Sequence, residues 1–212
     1  TTMKHILCFG DSNTFGSNPL GGRHPWGVRW TSVLQNELGA QYRVIEEGLG
    51  GRTTVYDDEM GDDRRGLDAL PACLETHKPL DLVIVMLGTN DTKHRFGATA
   101  RDLASGLDRI VCAVERHPWG PAYPAPKVLI VSPVLIREGV SGSPFGSFTE
   151  EAAALSHRFA EMDRRVAEAH GCAFFDAASV ACASETDCLH MDAESHAALG
   201  KALAAPVRSL LG

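Results

Sequence analysis

The sequence has no apolar run long enough to cross a membrane and no cluster of basic residues. A membrane-spanning helix needs roughly 20 consecutive, mostly apolar residues, and no segment of the 212 residues approaches that length. The formal net charge is -7, which disfavours nucleic acids and anionic membrane surfaces as partners. We therefore predict no nucleic-acid partner, no membrane partner and a small-molecule substrate.

Cofactor and metal motifs are also missing. The phosphate-binding patterns G-x-G-x-x-G and G-x-x-x-x-G-K-[ST] do not occur, and neither do H-x-H, H-E-x-x-H or C-x-x-C. The acidic loop 57–65 lacks the spacing of a calcium-binding EF-hand loop. We predict no cofactor and no metal. The apolar run 6–9 is too short for a signal peptide, and six scattered cysteines favour free thiols, so a cytoplasmic location is expected.

What the sequence does contain is a regular alternation of strand and helix patterns. Hydrophobic residues make up 44% of the chain, and we expect residues 1–212 to form a single domain. Such alternation predicts a three-layer α/β/α fold whose five-stranded parallel sheet has the flavodoxin-like order 2-1-3-4-5. The patterns predict strands at residues 6–9, 42–45, 80–87, 127–131 and 172–175, and helices at 30–38, 67–77, 100–115, 150–170 and 192–211.

Short polar turns follow the first three predicted strands, and a fourth polar cluster lies in the last loop. Each is common by itself, since Ser12 could simply cap a helix, Asn90 could be an ordinary turn residue and Asp187 a surface acid. In the predicted strand order, however, the turns after the first and third strands lie side by side. The four clusters are Gly10-Asp11-Ser12, Gly50-Gly51, Gly88-Thr89-Asn90-Asp91 and Asp187-Cys188-Leu189-His190.

In this order and spacing the clusters resemble the four blocks of the SGNH hydrolases, also called GDSL-type esterases. The blocks of that family carry Ser, Gly, Asn and His, with an Asp three residues before the His. Segments such as ILCFGDSNTFG, VIEEGLGGRTT and LDLVIVMLGTNDTK are most similar to the bacterial aryl esterase/acyltransferase branch. One departure is Asn13, which replaces the leucine of the family's name. The matching positions here are Ser12, Gly51, Asn90, Asp187 and His190.

The chemistry of these residue types agrees with the resemblance. A serine hydroxyl is a weak nucleophile and needs a base within about 3 Å. His190 can act as that base, and Asp187 can orient the imidazole. The backbone N–H groups of Ser12 and Gly51 and the side-chain amide of Asn90 can stabilise an oxyanion. The nucleophile-elbow motif G-x-S-x-G is not met at Ser12, which argues against an α/β-hydrolase.

The resemblance implies a serine esterase that acts on short acyl esters, above all acetyl esters of carbohydrates or aryl alcohols. It also implies possible transfer of the acyl group to alcohols or peroxide, and a homo-oligomer. We expect the Gly-, Ser- and Phe-rich segment 135–149 to lie over the site, and Phe145 and Phe148 to be exposed there. Two alternatives stay open: a thioesterase or lysophospholipase of the same fold, and a non-catalytic anion-binding module. The predicted substrate-binding residues are Asn13, Phe15, Trp26 and Arg52.

Overall fold

Five parallel strands form one sheet in the order β2-β1-β3-β4-β5, which confirms the predicted topology. The computed structural model describes residues 2–212. Every strand pairs in parallel with its neighbours, as the short apolar runs separated by helices predict. The strands are β1 (Lys4–Gly10), β2 (Tyr42–Gly48), β3 (Leu82–Met86), β4 (Lys127–Ser132) and β5 (Ala173–Asp176).

Helices cover both faces of the sheet, and the side chains of β1 alternate between the two layers. On one face, Ile6 and Cys8 pack with α2 (Trp30–Leu38) and α7 (Ala193–Leu211). On the other face, Leu7 and Phe9 pack with α3 (Gly66–His77), α4 (Ala100–Arg116) and α6 (Phe159–His170). No helix within residues 2–212 is long and apolar enough to cross a membrane. The helices are α1 (Ser12–Phe15), α2 (Trp30–Leu38), α3 (Gly66–His77), α4 (Ala100–Arg116), α5 (Glu150–Ser156), α6 (Phe159–His170) and α7 (Ala193–Leu211).

The helix predicted over residues 150–170 is in fact two helices, α5 and α6, separated by a turn at His157 and Arg158. The hydroxyl of Ser156 donates to the carbonyl of Ala153 and accepts a hydrogen bond from the N–H of Ile136. A serine that uses its hydroxyl in this way competes with regular helix hydrogen bonding. The break lets α5 pack against the loop that precedes it, where Phe148 is buried.

The register of the strands brings the polar turns together at one edge of the sheet. Gly10 of β1 is paired with Gly48 of β2 and Met86 of β3, so the turns after β1 and β3 leave the sheet side by side. A Cβ atom at Gly48 would lie 2.1 Å from the backbone nitrogen of Phe15. The short helix α1, which begins at Ser12, therefore rests directly on the end of β2.

Candidate active site

Ser12 is the first residue of α1, and the cap of that helix is the residue before it. The side chain of Asp11 accepts a hydrogen bond of 3.0 Å from the backbone N–H of Asn13, as an N-cap residue does. Ser12 is therefore not used as the cap, and its hydroxyl lines a cavity of about 820 Å³ at the carboxyl edge of the sheet.

His190 and Asp187 meet Ser12 from the loop that precedes α7. Nε2 of His190 lies 2.9 Å from Oγ of Ser12, and Nδ1 lies 2.7 Å from Oδ2 of Asp187. Both Asp187 and His190 are more than 95% buried, with exposures of 3% and 4%. Burial alone would raise the pKa of Asp187, but hydrogen bonds from His190 and from two backbone N–H groups hold that pKa below its usual value. A charged carboxylate, an imidazole and a hydroxyl thus form one chain of hydrogen bonds.

A tight turn between Asp187 and His190 makes this arrangement possible. Cys188 has a φ of 65°, a left-handed conformation that residues with a side chain seldom adopt. Hydrogen bonds hold the backbone of Cys188 on both sides. Its N–H donates to the carbonyl of Ser184, and its carbonyl accepts from the N–H of Arg137. The turn places Oδ1 of Asp187 within 3.0 Å of the N–H groups of Leu189 and His190.

Three hydrogen-bond donors line the cavity beside Ser12. Within residues 2–212, the N–H groups of Ser12 and Gly51 donate to no protein acceptor. Gly51 has a φ of 80°, a conformation that favours glycine. The side-chain nitrogen of Asn90 donates to the carbonyl of Arg52 at 3.1 Å and, more weakly, to Oδ2 of Asp11 at 3.4 Å. The structure therefore brings all five residues of the predicted triad and oxyanion hole to one cavity.

Comparison with known proteins agrees with this geometry. The model of the GDSL-like lipase/acylhydrolase family matches residues 8–198. The chain belongs to this family. The native aryl esterase of M. smegmatis is 43% identical, with a TM-score of 0.92 over 98% of this chain and 100% of that one. A carbohydrate acetylesterase family member from Sinorhizobium meliloti is also 43% identical, with a TM-score of 0.94 over 99% and 100%.

A curated relative of this GDSL-like chain is the uncharacterized lipoprotein YqeF of Bacillus subtilis strain 168. It is 31% identical over 88 residues, which are 42% of this chain. The match spans only 32% of the length of that relative.

Asn13, predicted to contact substrate, instead holds the loop of His190 in this member of the family. Its side-chain nitrogen donates to the carbonyl of Leu189 at 3.2 Å, and its side-chain oxygen accepts from the N–H of Met191 at 3.0 Å. Asn13 is 4% exposed and does not line the cavity. The residue after Ser12 thus fixes the two residues that flank His190.

Replacing Asn13 by alanine is expected to destabilise the fold and to lower kcat. Two buried backbone groups lose their partners, which costs about 1–3 kcal/mol each, and His190 loses a support that positions it. We expect a loss of about 2–6 kcal/mol in urea unfolding and a kcat about tenfold lower, with KM little changed. Asn36→Ala, on the exposed face of α2, is the matched control. An Asn13→Ala enzyme with wild-type stability and kcat would contradict this role.

The other three predicted substrate-binding residues also lie outside the lining of the cavity. The ring of Phe15 is covered by the guanidinium of Arg23, 4.0 Å from the ring centroid. Trp26 is 56% exposed on the outer surface. Arg52 is buried and donates to the carbonyls of Gly10 and Glu47, so its side chain braces the loop that presents Gly51.

Side chains of the 135–149 segment do line the cavity, as expected, and they include Phe145 and Phe148. The ring of Phe145 packs edge-on against His190, with a centroid distance of 5.0 Å. Phe148, expected to be exposed, is only 2% exposed because it packs among apolar side chains of α4, α5 and α6. The sequence offered no local signal that distinguishes these two phenylalanines.

Two buried carboxyl groups, of Asp11 and Asp91, lie next to Asn90 but outside the lining of the cavity. Burial raises the pKa of Asp11 to about 6 and that of Asp91 to about 7. Asp91 accepts hydrogen bonds from the backbone and hydroxyl of Thr54, which ties the Asn90 turn to the loop after Gly51. These acids support the site from behind and do not line the cavity.

One group of residues outside the cavity has the chemistry of a metal site. Ligand atoms of Asp108, Cys112 and His170 lie within 4.8 Å of one another on α4 and α6. Both ring nitrogens of His170 already meet carboxylates, Nε2 at Asp108 and Nδ1 at Glu115. The group is therefore explained as an ion-pair network that joins two helices.

Proposed function

We propose that this chain is a cofactor-free serine esterase that hydrolyses short acyl esters, acetyl esters above all. The observation that carries the proposal is the chain of hydrogen bonds from Asp187 through His190 to Ser12, at 2.7 and 2.9 Å. Beside Oγ of Ser12 lie the backbone N–H groups of Ser12 and Gly51, which have no acceptor within residues 2–212. A non-catalytic anion-binding module would need neither the base nor the carboxylate that orients it.

In the proposed reaction, Oγ of Ser12 attacks the ester carbonyl while its proton moves to Nε2 of His190. The N–H groups of Ser12 and Gly51 and the amide of Asn90 stabilise the oxyanion that forms. Collapse of this intermediate breaks the bond to the alcohol, which leaves with the proton from His190. The acyl group on Ser12 then passes to water, or to an alcohol or peroxide that enters in its place.

The substrate class follows from the size of the cavity and from the relatives. A cavity of about 820 Å³ is large enough for a sugar-sized or aryl alcohol group. The structures named above are described as an aryl esterase and a carbohydrate acetylesterase family member. We propose acetylated carbohydrates or aryl acetates as the substrates of this chain.

The test combines turnover of p-nitrophenyl acetate with labelling by a fluorophosphonate probe. Only a serine activated by a neighbouring base should react with the probe, and peptide mass spectrometry should place the adduct on Ser12. Heat-denatured protein serves as the control, because unfolding separates Ser12 from His190. Folded protein that neither turns over the ester nor takes the label would overturn the proposal.

Replacing Asn90 by alanine is expected to lower kcat about 10²- to 10³-fold, the usual cost of removing one oxyanion donor. KM should change much less, because the donor acts on charge that develops in the transition state. The measurement is steady-state kinetics with p-nitrophenyl acetate, with Asn36→Ala as a control for mutation at a surface asparagine. A kcat within threefold of wild type would remove Asn90 from the oxyanion hole.

The homo-oligomer inferred from resemblance stays a prediction. Trp26 is exposed, as expected of a residue at a subunit contact, whereas Phe148 is buried within the chain and cannot contribute to such a contact.

A further inference from the structure

The wall of the cavity contains three cations that share a single carboxylate. Asp58 is completely buried, and its side chain accepts hydrogen bonds from Arg64, Lys93 and Arg95, each at 2.8–2.9 Å. All three cations line the same cavity as Ser12. Burial alone would raise the pKa of Asp58, but the three cations together hold that pKa well below its usual range.

These charges do not balance. One cation would neutralise Asp58, so the other two leave the cluster with an excess of two positive charges. Lys93 is 4% exposed; its burial lowers its pKa, and repulsion from Arg64 and Arg95 adds to this, against the opposing effect of Asp58. Placing excess charge in such a position is costly unless a partner of opposite sign arrives.

Acids elsewhere do not balance this charge within the cavity. Asp11 and Asp91 attract Lys93, but neither lines the cavity, and burial disfavours their charged forms by raising their pKa to about 6 and about 7. Among residues 2–212, the one carboxylate that lines the cavity is Asp187, and it is bonded to His190. The remaining acids of the Asp58 loop do not line the cavity, and they are exposed to water, which weakens their attraction to the cluster. They are Asp57, Glu59, Asp62 and Asp63.

The cluster also lies close to the reacting centre. The guanidinium of Arg64 lies so near Gly51 that a Cβ atom there would be 2.6 Å from its Nε. Gly51 contributes one of the free N–H groups beside Ser12. An ester bound at Ser12 therefore has this positive cluster as an immediate neighbour.

We infer that Arg64, Lys93 and Arg95 form a subsite for an anionic group, and that the preferred ester carries a carboxylate. The inference rests on the proposed esterase function and narrows its substrate class. Guanidinium groups bind carboxylates through charge-assisted hydrogen bonds. The chain as a whole is acidic, so the excess of cations in the lining of this cavity contrasts with the net charge of the protein.

Two matched substrate pairs test the inference. The carboxylate is on the alcohol side in 4-acetoxybenzoate and on the acyl side in mono-4-nitrophenyl glutarate. The neutral partner of each is its methyl ester. Each kcat/KM is divided by the second-order rate constant for hydroxide-catalysed hydrolysis of the same ester. This corrects for intrinsic reactivity and excludes the intramolecular attack of the glutarate carboxylate on its own ester. We expect the anionic member to be favoured about tenfold in at least one pair, and the preference to weaken at high salt.

Arg95→Gln should reduce the preference for the anionic ester about fivefold or more. Asp58 keeps Arg64 and Lys93 as partners in this variant, so its carboxylate is not left unpaired. Arg64→Gln is the second variant if Arg95→Gln does not fold. Lys201→Gln removes a charge from the exposed face of α7 and should leave the preference unchanged.

If neither pair favours the anion, or if both arginine variants keep the wild-type preference, the inference is overturned. Turnover of neutral esters that depends on Ser12 would still support the esterase proposal in that case.

Discussion

Replacing Ser12 by alanine is expected to lower kcat for p-nitrophenyl acetate about 10⁴-fold or more. The expected loss is this large because, in the proposed mechanism, Oγ of Ser12 is the atom that becomes acylated, and alanine has no group that can take its place. The fold should not be destabilised, since the side chain of Asp11, and not that of Ser12, caps α1. Stability in urea should therefore stay within about 1 kcal/mol of wild type, as for a substitution that leaves no cavity in the core and removes no helix cap.

The measurement is stopped-flow kinetics, in which wild type should give a burst of p-nitrophenol as Ser12 is acylated. The Ser12→Ala protein should show no burst and no fluorophosphonate label. Ser209→Ala, at an exposed position of α7, should keep both. Undiminished turnover by Ser12→Ala would remove Ser12 from the mechanism.

The fold was predictable from the sequence because its signals are local. Short apolar runs such as 80–87, rich in Val, Ile and Leu, are typical of buried strands in a parallel sheet, and right-handed crossovers restrict the strand order to a few possibilities. The helix break at His157 was not predictable, because it depends on a hydrogen bond between Ser156 and Ile136, which are 20 residues apart.

The predicted triad and oxyanion residues meet because each is fixed by its position at a strand end or a capped turn. The predicted binding residues fail to line the cavity because spacing does not determine where a side chain points. Asn13 follows Ser12 directly, yet its amide turns towards Leu189 and Met191. Arg52 follows Gly51, yet its guanidinium turns back to Gly10.

The Asp58 cluster was beyond prediction for a different reason. In the sequence, Asp58 is one of five acids in a charged loop, and nothing local marks it as the buried one. Its partners Lys93 and Arg95 come from the segment after β3, more than 30 residues away. A site assembled from distant loops by ion pairs leaves no periodic pattern in the chain.

Replacing Asp187 by asparagine should lower kcat about 10⁴-fold at neutral pH without changing the shape of the site. Oδ1 of Asp187 accepts two backbone N–H groups, from Leu189 and His190. An asparagine must keep its oxygen at that position, which directs its NH₂ group at Nδ1 of His190. Nδ1 must then accept a hydrogen bond, so the imidazole proton moves to Nε2. A protonated Nε2 cannot take the proton of Ser12.

Asp192→Asn is the matched control, since Asp192 lies two residues beyond His190 and caps α7 by accepting from the N–H of Ser195. Asparagine caps a helix as well as aspartate does, so this variant should keep kcat within about twofold. Both variants remove one negative charge, but Asp187 contacts Nδ1 of His190 at 2.7 Å whereas Asp192 is exposed. A difference between them therefore reports on the direct contact of Asp187 with His190. Equal activity of Asp187→Asn and Asp192→Asn would show that His190 does not depend on Asp187 for its orientation.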